Sequence, residues 1–380
     1  MARRGENIYR RKDGRWEGRY IKGRKPDGKP CFGSVYGRSY GEVKKRLLPL
    51  KAAYCETGPE TRNTRPFREY LLANLAQKRI GRIKASSYVS YYRIVHNHII
   101  PGLGRYPMHR LTQRHVEQFL VDLHILGLSD GTILNIVRYL AGVTRQAAKS
   151  GAMAKDICAE IALPKPKRKK ISALSRAQQK SLEDAAVAAI RKSGCSHGID
   201  VMIALYTGMR IGEICALRWD DVDFDRGIIQ VRQTLQRLHM YDQNGEKDSK
   251  TIIVIGTPKS ESSVRDIPIS FRLVSLLRDC QQCAHGDYVV TGRHDSAEPR
   301  TLQYRFEQML KRTQLPHVGY HALRHSFATR CVELNVDIAT ISKLLGHASI
   351  KLTADTYIDS FMEQRFAAVQ KLDGLVLMDK

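Results

Sequence analysis

The segment LPKPKRKKISAL, residues 163–174, sets the first limit on how this 380-residue chain can fold. Pro164 and Pro166 lack an amide donor, and each pushes the residue before it out of the helical region. Lys165, Lys167, Arg168 and Lys169 crowd like charge onto the same stretch. A helix cannot run through such a segment, so it is expected to be an exposed linker with separate folded parts on either side. A nuclear localisation signal is the other reading of a basic run. A linker lying along a phosphate backbone explains it with fewer assumptions and makes Lys165, Lys167, Arg168 and Lys169 candidate DNA contacts.

Basic excess extends well beyond the linker. The formal net charge is +25, too large for solvation alone, and it implies a polyanionic partner. An anionic membrane is disfavoured, since no apolar run reaches the roughly 18 residues of a span and no signal-type or lipidation motif is found. The eight cysteines are scattered. Cys280 and Cys283 form the one CxxC, with His285 beyond it, and no second pair follows at a zinc-like spacing, so no metal site is expected. With 42% hydrophobic residues, the chain reads as a globular, soluble protein of a reducing bacterial cytoplasm, associated with the nucleoid.

Residues 1–62 read as a small β domain. Apolar and basic residues alternate between turns at Asp13-Gly14 and Asp27-Gly28, which predicts a three-stranded meander. SYGEVKKRLLPLKAAY, residues 39–54, predicts an amphipathic helix packed on it. Residues 1–65 hold 18 basic and 7 acidic side chains, with Tyr9, Trp16, Tyr20 and Phe32 interleaved among the charges. A sheet with basic and aromatic residues on one face can enter a major groove, so Arg10, Arg15, Trp16, Arg19 and Lys22 are candidate DNA contacts. A solubilising tail is the plainer alternative.

Residues 63–162 predict an all-helical block of four amphipathic segments, with Pro101-Gly102 breaking the second from the third. Tyr88, Tyr91 and Tyr92 with Arg93 either touch nucleic acid or form half-buried core. Residues 175–380 predict a larger, mostly helical domain with one β interruption. GIIQVRQTLQRL (227–238), KTIIVIG (250–256) and VRDIPIS (264–270) read as strands, with Asn244-Gly245 a hairpin turn between the first two.

Three stretches of this last part suggest chemistry. In TGMRIGEICALRWDDVDF, Ile211, Ile214 and Cys215 mark the buried face of a helix that Gly208 opens, with Arg210 in its first turn. A helix start and a guanidinium both suit an anion, and Glu213 is placed to brace Arg210 or nearby backbone. In HALRHSFATR, Leu323, Phe327, Cys331 and Leu334 recur as a buried stripe with Arg324 at its edge. On a helical wheel His321 lies about 60° from Arg324, and His325 about 100° away on the far side, which favours His321 as the partner. In DIATISKLLGHASIKLTADTYIDSF, Ile338, Ile341 and Leu345 form the stripe, Gly346 is a helix C′ residue and His347 follows it. Ten residues later comes Tyr357. Taken singly, His347 and Tyr357 read as packing residues.

TGMRIGEICALRW, HALRHSFAT and LGHASIKLTADTY, in that order and spacing, resemble the tyrosine recombinases, the phage-integrase family. The resemblance covers the whole of residues 175–380. Upstream, the helical block and basic β domain resemble the core-binding and arm-binding domains of lambda-like phage and conjugative-transposon integrases. It implies a multidomain, mainly α fold with small β elements: an N-terminal three-stranded sheet plus helix, a helical core-binding domain, and a mixed, mostly α catalytic domain of the tyrosine-recombinase type.

The resemblance also implies roles. Tyr357 would attack the scissile phosphodiester, leaving a 3′-phosphotyrosyl link and a free 5′-hydroxyl. Arg210 and Arg324 would hold the non-bridging oxygens. His321 would take or orient the tyrosine proton, and His347 would donate to the phosphate. Lys259, in IGTPKSESSVRDIPI between two predicted strands, would be the general acid for the leaving oxygen, with Glu213 as structural support. No cofactor is implied, because the phosphotyrosyl ester conserves the energy of the broken bond. Two departures stand out: Ala322 replaces a common acidic residue after His321, and Ile358 and Asp359 follow Tyr357 where a histidine often stands.

The expected function is a site-specific recombinase, most like the integrase of a mobile element, working through a Holliday junction on double-stranded DNA with core and arm attachment sites. It would self-associate on DNA, as a tetramer in the synaptic complex, with an excisionase or DNA-bending host factor as a further partner. The other readings are a resolvase or inversion enzyme, a type IB topoisomerase, and a catalytically silent DNA-binding regulator. After Tyr357, FMEQRFAAVQKL predicts another amphipathic helix, packed in cis or docked on a neighbouring protomer.

Overall fold

The computed structural model describes residues 7–24, 30–55, 64–80, 83–165, 173–193, 197–241, 247–258, 261–357 and 369. It divides into two compact units, Met1–Lys167 and Arg168–Lys380. Among the described residues, no helix is long and apolar enough to cross a membrane. The turns at Asp27-Gly28 and Asn244-Gly245, most of the basic linker and all but one residue of the tail after Tyr357 lie outside the described residues.

The first unit opens with an antiparallel sheet of β1 (Ile8–Arg10), β2 (Trp16–Arg24) and β3 (Pro30–Gly37), in that spatial order. Helix α1 (Tyr40–Cys55) covers one face. The covered face is that of Trp16, Gly18 and Tyr20, because a Cβ on Gly18 would come within 2.7 Å of the Val43 side chain. Ile8, Val43 and Leu47 form its small core, with Trp16, Tyr20, Val35 and Tyr40 packed around them. Side chains alternate along a strand, so Glu17, Arg19 and Ile21 point away from the helix. Trp16 therefore does not share a face with Arg19. Its ring meets Tyr40 edge-on at 5.5 Å, and Arg10, opposite Trp16 in the register, lies on the Trp16 side. Arg15 sits in the turn between β1 and β2.

Helices α2 (Phe67–Ile80), α3 (Ala85–Ile94), α4 (Ile100–Leu103), α5 (Gln113–Ile125) and α6 (Asp130–Lys149) complete this unit. Phe67, Leu71, Ile99, Leu103, Ile133 and Leu140 are fully buried among them. The expected break at Pro101-Gly102 falls later. A π-helical turn at Val95–Ile99 joins α3 to α4, and Pro101 sits inside α4. Lengthening the hydrogen-bond ladder just before the proline accommodates its missing amide donor. Gly102 admits Phe119, whose ring would lie 2.5 Å from a Cβ there. The tyrosines behave as core: Tyr92 is buried and stacks on His96 at 3.9 Å, while Tyr91 packs on Tyr139 at 4.9 Å.

In the second unit, α7 (Arg176–Ser193), α8 (Ile199–Thr207) and α9 (Ile211–Ala216) precede the strands, β4 (Val222–Asp223), β5 (Ile228–Val231), β6 (Thr234–Tyr241), β7 (Lys247–Gly256) and β8 (Arg265–Pro268). Helices α10 (Phe271–Gln282), α11 (Pro299–Arg312), α12 (His321–Glu333), α13 (Ile338–Leu345) and α14 (Ile350–Tyr357) follow. Apolar apart from Asp200, Tyr206 and Thr207, α8 is the buried centre on which α7, α10 and α12 pack. Residues 227–238, expected as one strand, form two. β5 joins β4 and β8 in one sheet, and β6 pairs with β7 in another. Ile229, Val231 and Leu235 are buried, but Gln233, which a continuous strand would put on their face, is exposed.

Two glycines test this packing with opposite signs. Gly102→Ala is expected to destabilise by about 1–3 kcal/mol, because buried Phe119 has nowhere to move. Gly142→Ala, on an open face of α6 with nothing within 4 Å, is expected to stabilise by about 0.5–1 kcal/mol. Equilibrium denaturation of the two variants reads both.

Candidate active site

Gly208 closes α8 rather than opening α9: its φ is 63° and its amide donates back to the Ala204 carbonyl. Arg210 is the N-cap of α9. Its own amide donates to Glu213 Oε2 at 3.0 Å, and its Nη1 donates to Glu213 Oε1 at 2.8 Å. The Glu213 carboxylate thus fills the helix start, and only the Arg210 guanidinium is left to meet an anion. That side chain is 37% exposed.

On α12, Arg324 is deeper than its expected place at the edge of the stripe. It is 3% exposed, donating through Nη1 to the Gly208 carbonyl and through Nη2 to the Leu345 carbonyl, both at 2.7 Å. His321, one turn back, keeps an exposed face. His325 is buried, not on an outer side, and its ring meets His321 edge-on at 4.8 Å. Leu334, expected in the stripe, is 75% exposed. The helix ends at Glu333 and Asn335 turns away with φ 60°, so Val332 is buried instead. Immediately before the helix, Tyr320 donates its hydroxyl to the buried Asp200 carboxylate at 3.2 Å and pins α12 to α8.

The two arginines converge on the end of α13. Gly346, with φ 64°, lets the chain turn there, and His347 follows. Arg210 Nη2 donates to the Gly346 carbonyl at 3.1 Å. Arg265 from β8 donates to the Leu344 carbonyl at 2.6 Å through Nε and to Glu213 Oε2 at 3.0 Å through Nη2. Its side chain is 6% exposed. A Cβ on Gly346 would sit 2.9 Å from the Ser262 carbonyl, so the turn admits glycine alone without a shift. His347 Nδ1 is 2.7 Å from Thr353 Oγ1, and Thr353 is fully buried on α14. Tyr357 is the last residue of α14, one helical turn beyond Thr353; its side chain lies outside the described residues, as does Lys259.

Charge in this cluster is one-sided. His321 is lowered to about 4, first by the desolvation of its packed ring and then by the charges of His325, Arg324 and Arg210. His347 is also lowered to about 4, by desolvation and then by Arg324, Arg210 and Arg265. Both rings are therefore neutral at physiological pH. Burial alone would raise the Glu213 carboxyl, but Arg265 and Arg210 pull it below the usual carboxylate range. The arrangement is a cationic cluster with neutral imidazoles, suited to a phosphodiester and to proton transfer at it.

Sequence reasoning missed Arg265 and Thr353. The signal for Arg265 was available. It stands two residues before Ile267 on β8, hence on the same inward face, and a charge in a buried register needs partners. Of the proposed linker contacts, Lys165 is described and exposed, whereas Lys167, Arg168 and Lys169 lie outside the described residues with the side chain of Lys22. No group of three or more His, Cys, Asp or Glu able to hold a metal occurs among the described residues. Cys280 is buried, with Cys283 and His285 exposed.

The profile of the phage integrase family matches residues 169–364, and that of the phage integrase N-terminal SAM-like domain matches residues 67–124. The chain belongs to the phage integrase family. It is a DNA-binding tyrosine recombinase, with Arg210, Arg324, His321, His347 and Tyr357 all inside the matched region. A tyrosine recombinase XerC-like protein of Caldanaerobacter subterraneus subsp. tengcongensis is 24% identical over 364 residues, 89% of this chain and 91% of its own length. The ICEBs1 integrase of Bacillus subtilis is 23% identical over 89% of this chain and 92% of its own. Among solved structures, the Tn1549 transposon integrase in complex with circular intermediate DNA aligns with TM-score 0.63 at 20% identity, over 78% of this chain and 99% of that one. A lambda integrase dimer bound to a COC′ core site aligns with TM-score 0.59 at 19% identity, over 94% and 96%. These likenesses establish the fold.

Two measurements test the cluster. Arg265→Ala leaves Glu213 buried with one cation fewer and is expected to cost about 3–5 kcal/mol, whereas Arg265→Met combined with Glu213→Leu removes both charges and is expected to recover part of it, the Leu344 carbonyl and the Arg210 amide still lacking their partners. Equal losses in denaturation would show that the ion pair is not what holds the region. Histidine C–H titration by NMR is expected to keep both rings neutral down to about pH 5, since protonation begins only near pKa values of about 4. Added duplex, by bringing phosphate between the arginines, is expected to raise both values.

Proposed function

We propose that this recombinase is the integrase of a mobile genetic element and that Arg210, Arg324, His321, His347, Lys259 and Tyr357 are its cleavage machinery. The supporting observation is the convergence of Arg210, Arg324, His321 and His347, from three separate stretches of sequence, on the turn after α13. Arg210 and Arg324 bind the non-bridging oxygens and neutralise charge that builds in the pentacoordinate state. Neutral His321 accepts the Tyr357 proton as its Oη attacks phosphorus. If the Thr353 hydroxyl donates to His347 Nδ1, Nε2 carries the ring proton and points a donor toward phosphate. Lys259 protonates the departing 5′ oxygen. A 5′-hydroxyl from the partner duplex then attacks the phosphotyrosyl ester and releases Tyr357, so bond count and energy are conserved without ATP.

In this reading residues 1–62 bind arm sites, 63–162 bind core sites, and 163–174 link these to 175–380, which carry out cleavage. The outward basic face of the N-terminal sheet favours an integrase over a resolvase or inversion enzyme, the second reading, which rests on the relatives named XerC. Lambda integrase has been solved as a tetramer bound to a Holliday junction; a tetrameric synaptic complex is proposed for this chain too. An excisionase or host bending factor would set direction, in the bacterial cytoplasm at the nucleoid.

Covalent capture is the decisive experiment. A nicked suicide duplex from the ends of the element flanking the gene is incubated with wild type and with Tyr357→Phe. A denaturation-resistant protein–DNA adduct is expected with wild type alone. No adduct, with binding intact, would favour a silent regulator. Arg210→Ala is expected to bind the duplex within about twofold of wild type yet cleave roughly 100-fold or more slowly; equal loss of binding and cleavage would remove Arg210 from the phosphate.

A further inference from the structure

An acid stands at the centre of the outward face of the N-terminal sheet. Glu17 is 2% exposed, although it points away from α1. Tyr9 and Tyr36 flank it directly in the strand register. Its carboxylate accepts from Arg11 Nη1 at 3.0 Å, Arg19 Nε at 3.0 Å and the Ser34 hydroxyl at 2.8 Å. Burial pushes the group up, but hydrogen bonds from Arg19, Ser34 and Tyr9 hold it at about 2. Each arginine also lies against an aromatic ring, Arg19 at 5.5 Å from the Tyr9 centroid and Arg11 at 5.7 Å from that of Tyr36. Both remain partly open, with side chains 53% and 41% exposed.

A face that only neutralised phosphates would gain nothing from an acid at its middle, which subtracts charge and repels the backbone. A face that reads bases would gain. A guanidinium anchored on one edge and stacked on a ring has already lost most of its rotamer freedom, so less is lost on binding. The Nη edge of Arg19 is a planar fork of the kind that matches guanine O6 and N7 in the major groove; Arg11, whose Nε also lies 3.5 Å from Asp13 Oδ2, offers its remaining Nη2 beside it. Ile21 and Phe32, paired in register on the same face and 47% and 53% exposed, supply apolar contacts of the kind thymine methyls accept.

We infer that Glu17 is a specificity-determining positioning residue, which holds Arg11 and Arg19 as a preset pair of donors for base edges in a DNA major groove. The inference rests on the reading of residues 1–62 as a DNA-binding domain. The test uses the full chain and a random-sequence duplex pool. Sequences enriched by wild type but not by Arg11→Ala/Arg19→Ala are the sheet's own sites, and affinities for these and for random duplex are then measured with Glu17→Gln and Glu17→Asp. Glu17→Gln is expected to bind random duplex more tightly, having lost a negative charge. Its ratio of selected to random affinity should fall about tenfold, the value of one well-placed bidentate contact. Glu17→Asp keeps the charge, so its random binding should be unchanged while the ratio again falls. A ratio within about twofold of wild type in both variants would overturn the Glu17 role, as would parallel loss of selected and random binding, which marks a merely structural residue. If the double arginine variant enriches the same sequences as wild type, the sheet does not read DNA and the domain assignment itself fails.

Discussion

Helix α13 ends inside the protein, and every carbonyl left open at that end is accounted for. The last four carbonyls of a helix have no partner within it. Those of Ser342 and Lys343 accept from the His347 and Gly346 amides, at 3.1 and 3.0 Å. Leu344, Leu345 and then Gly346 each accept from a different arginine: Arg265, Arg324 and Arg210. Three arginines from β8, α12 and the start of α9 are thus drawn to one turn by an obligation of the backbone, since a buried unpaired carbonyl costs about 1–3 kcal/mol. The negative end of the helix dipole adds to the attraction. Positions that look like catalytic design also answer to the hydrogen-bond needs of one helix terminus.

Three guanidiniums at one turn would repel one another without a counterion. Glu213, 3% exposed, receives Arg210 on one oxygen and Arg265 on the other. It leaves the cluster with net positive charge, which adds to desolvation in keeping His321 and His347 deprotonated. That is the electrostatic state in which an incoming phosphodiester finds compensating charge already fixed in place, with no reorganisation left to the moment of reaction. Arg324 and Arg265 are spent largely on backbone and Glu213, while Arg210 retains the most exposed guanidinium of the three and so is the one best able to follow the phosphate.

Much of this was legible in the sequence, for physical reasons that differ by element. The C′ glycine of α13 and the histidine after it were readable because Gly346 must adopt a left-handed conformation. The apolar face of α9 was readable from spacing. The depth of Arg324 was not, because a helical wheel gives angle and not distance from the core, and Arg324 is carried inward by the Gly208 and Leu345 carbonyls from elsewhere in the chain. Leu334 was misplaced for the complementary reason: the wheel assumes the helix continues, and it stops one residue earlier. Trp16 was assigned to the basic face from composition, when strict alternation along β2 already put it opposite Arg19. Pro101 was read as a breaker because a π turn, which absorbs it, leaves no mark in a hydrophobic pattern.

The same device occurs in both units. Glu17 and Glu213 are each nearly inaccessible, and each accepts from two arginines. What differs is the exposure of the arginines. Arg265 is closed off and Arg210 partly open, so Glu213 fixes a single cationic point against the end of a helix. Arg11 and Arg19 are both partly open on the face of a sheet, each beside a tyrosine ring. A buried acid is costly to keep, and removing its partners is costlier, so in both places the carboxylate sets where the guanidiniums rest, which in the proposed reading happens before any DNA arrives. One arrangement suits a phosphate, whose position along the backbone is the same for every sequence. The other suits base edges, where orientation within the plane of the base pair is what distinguishes one sequence from another.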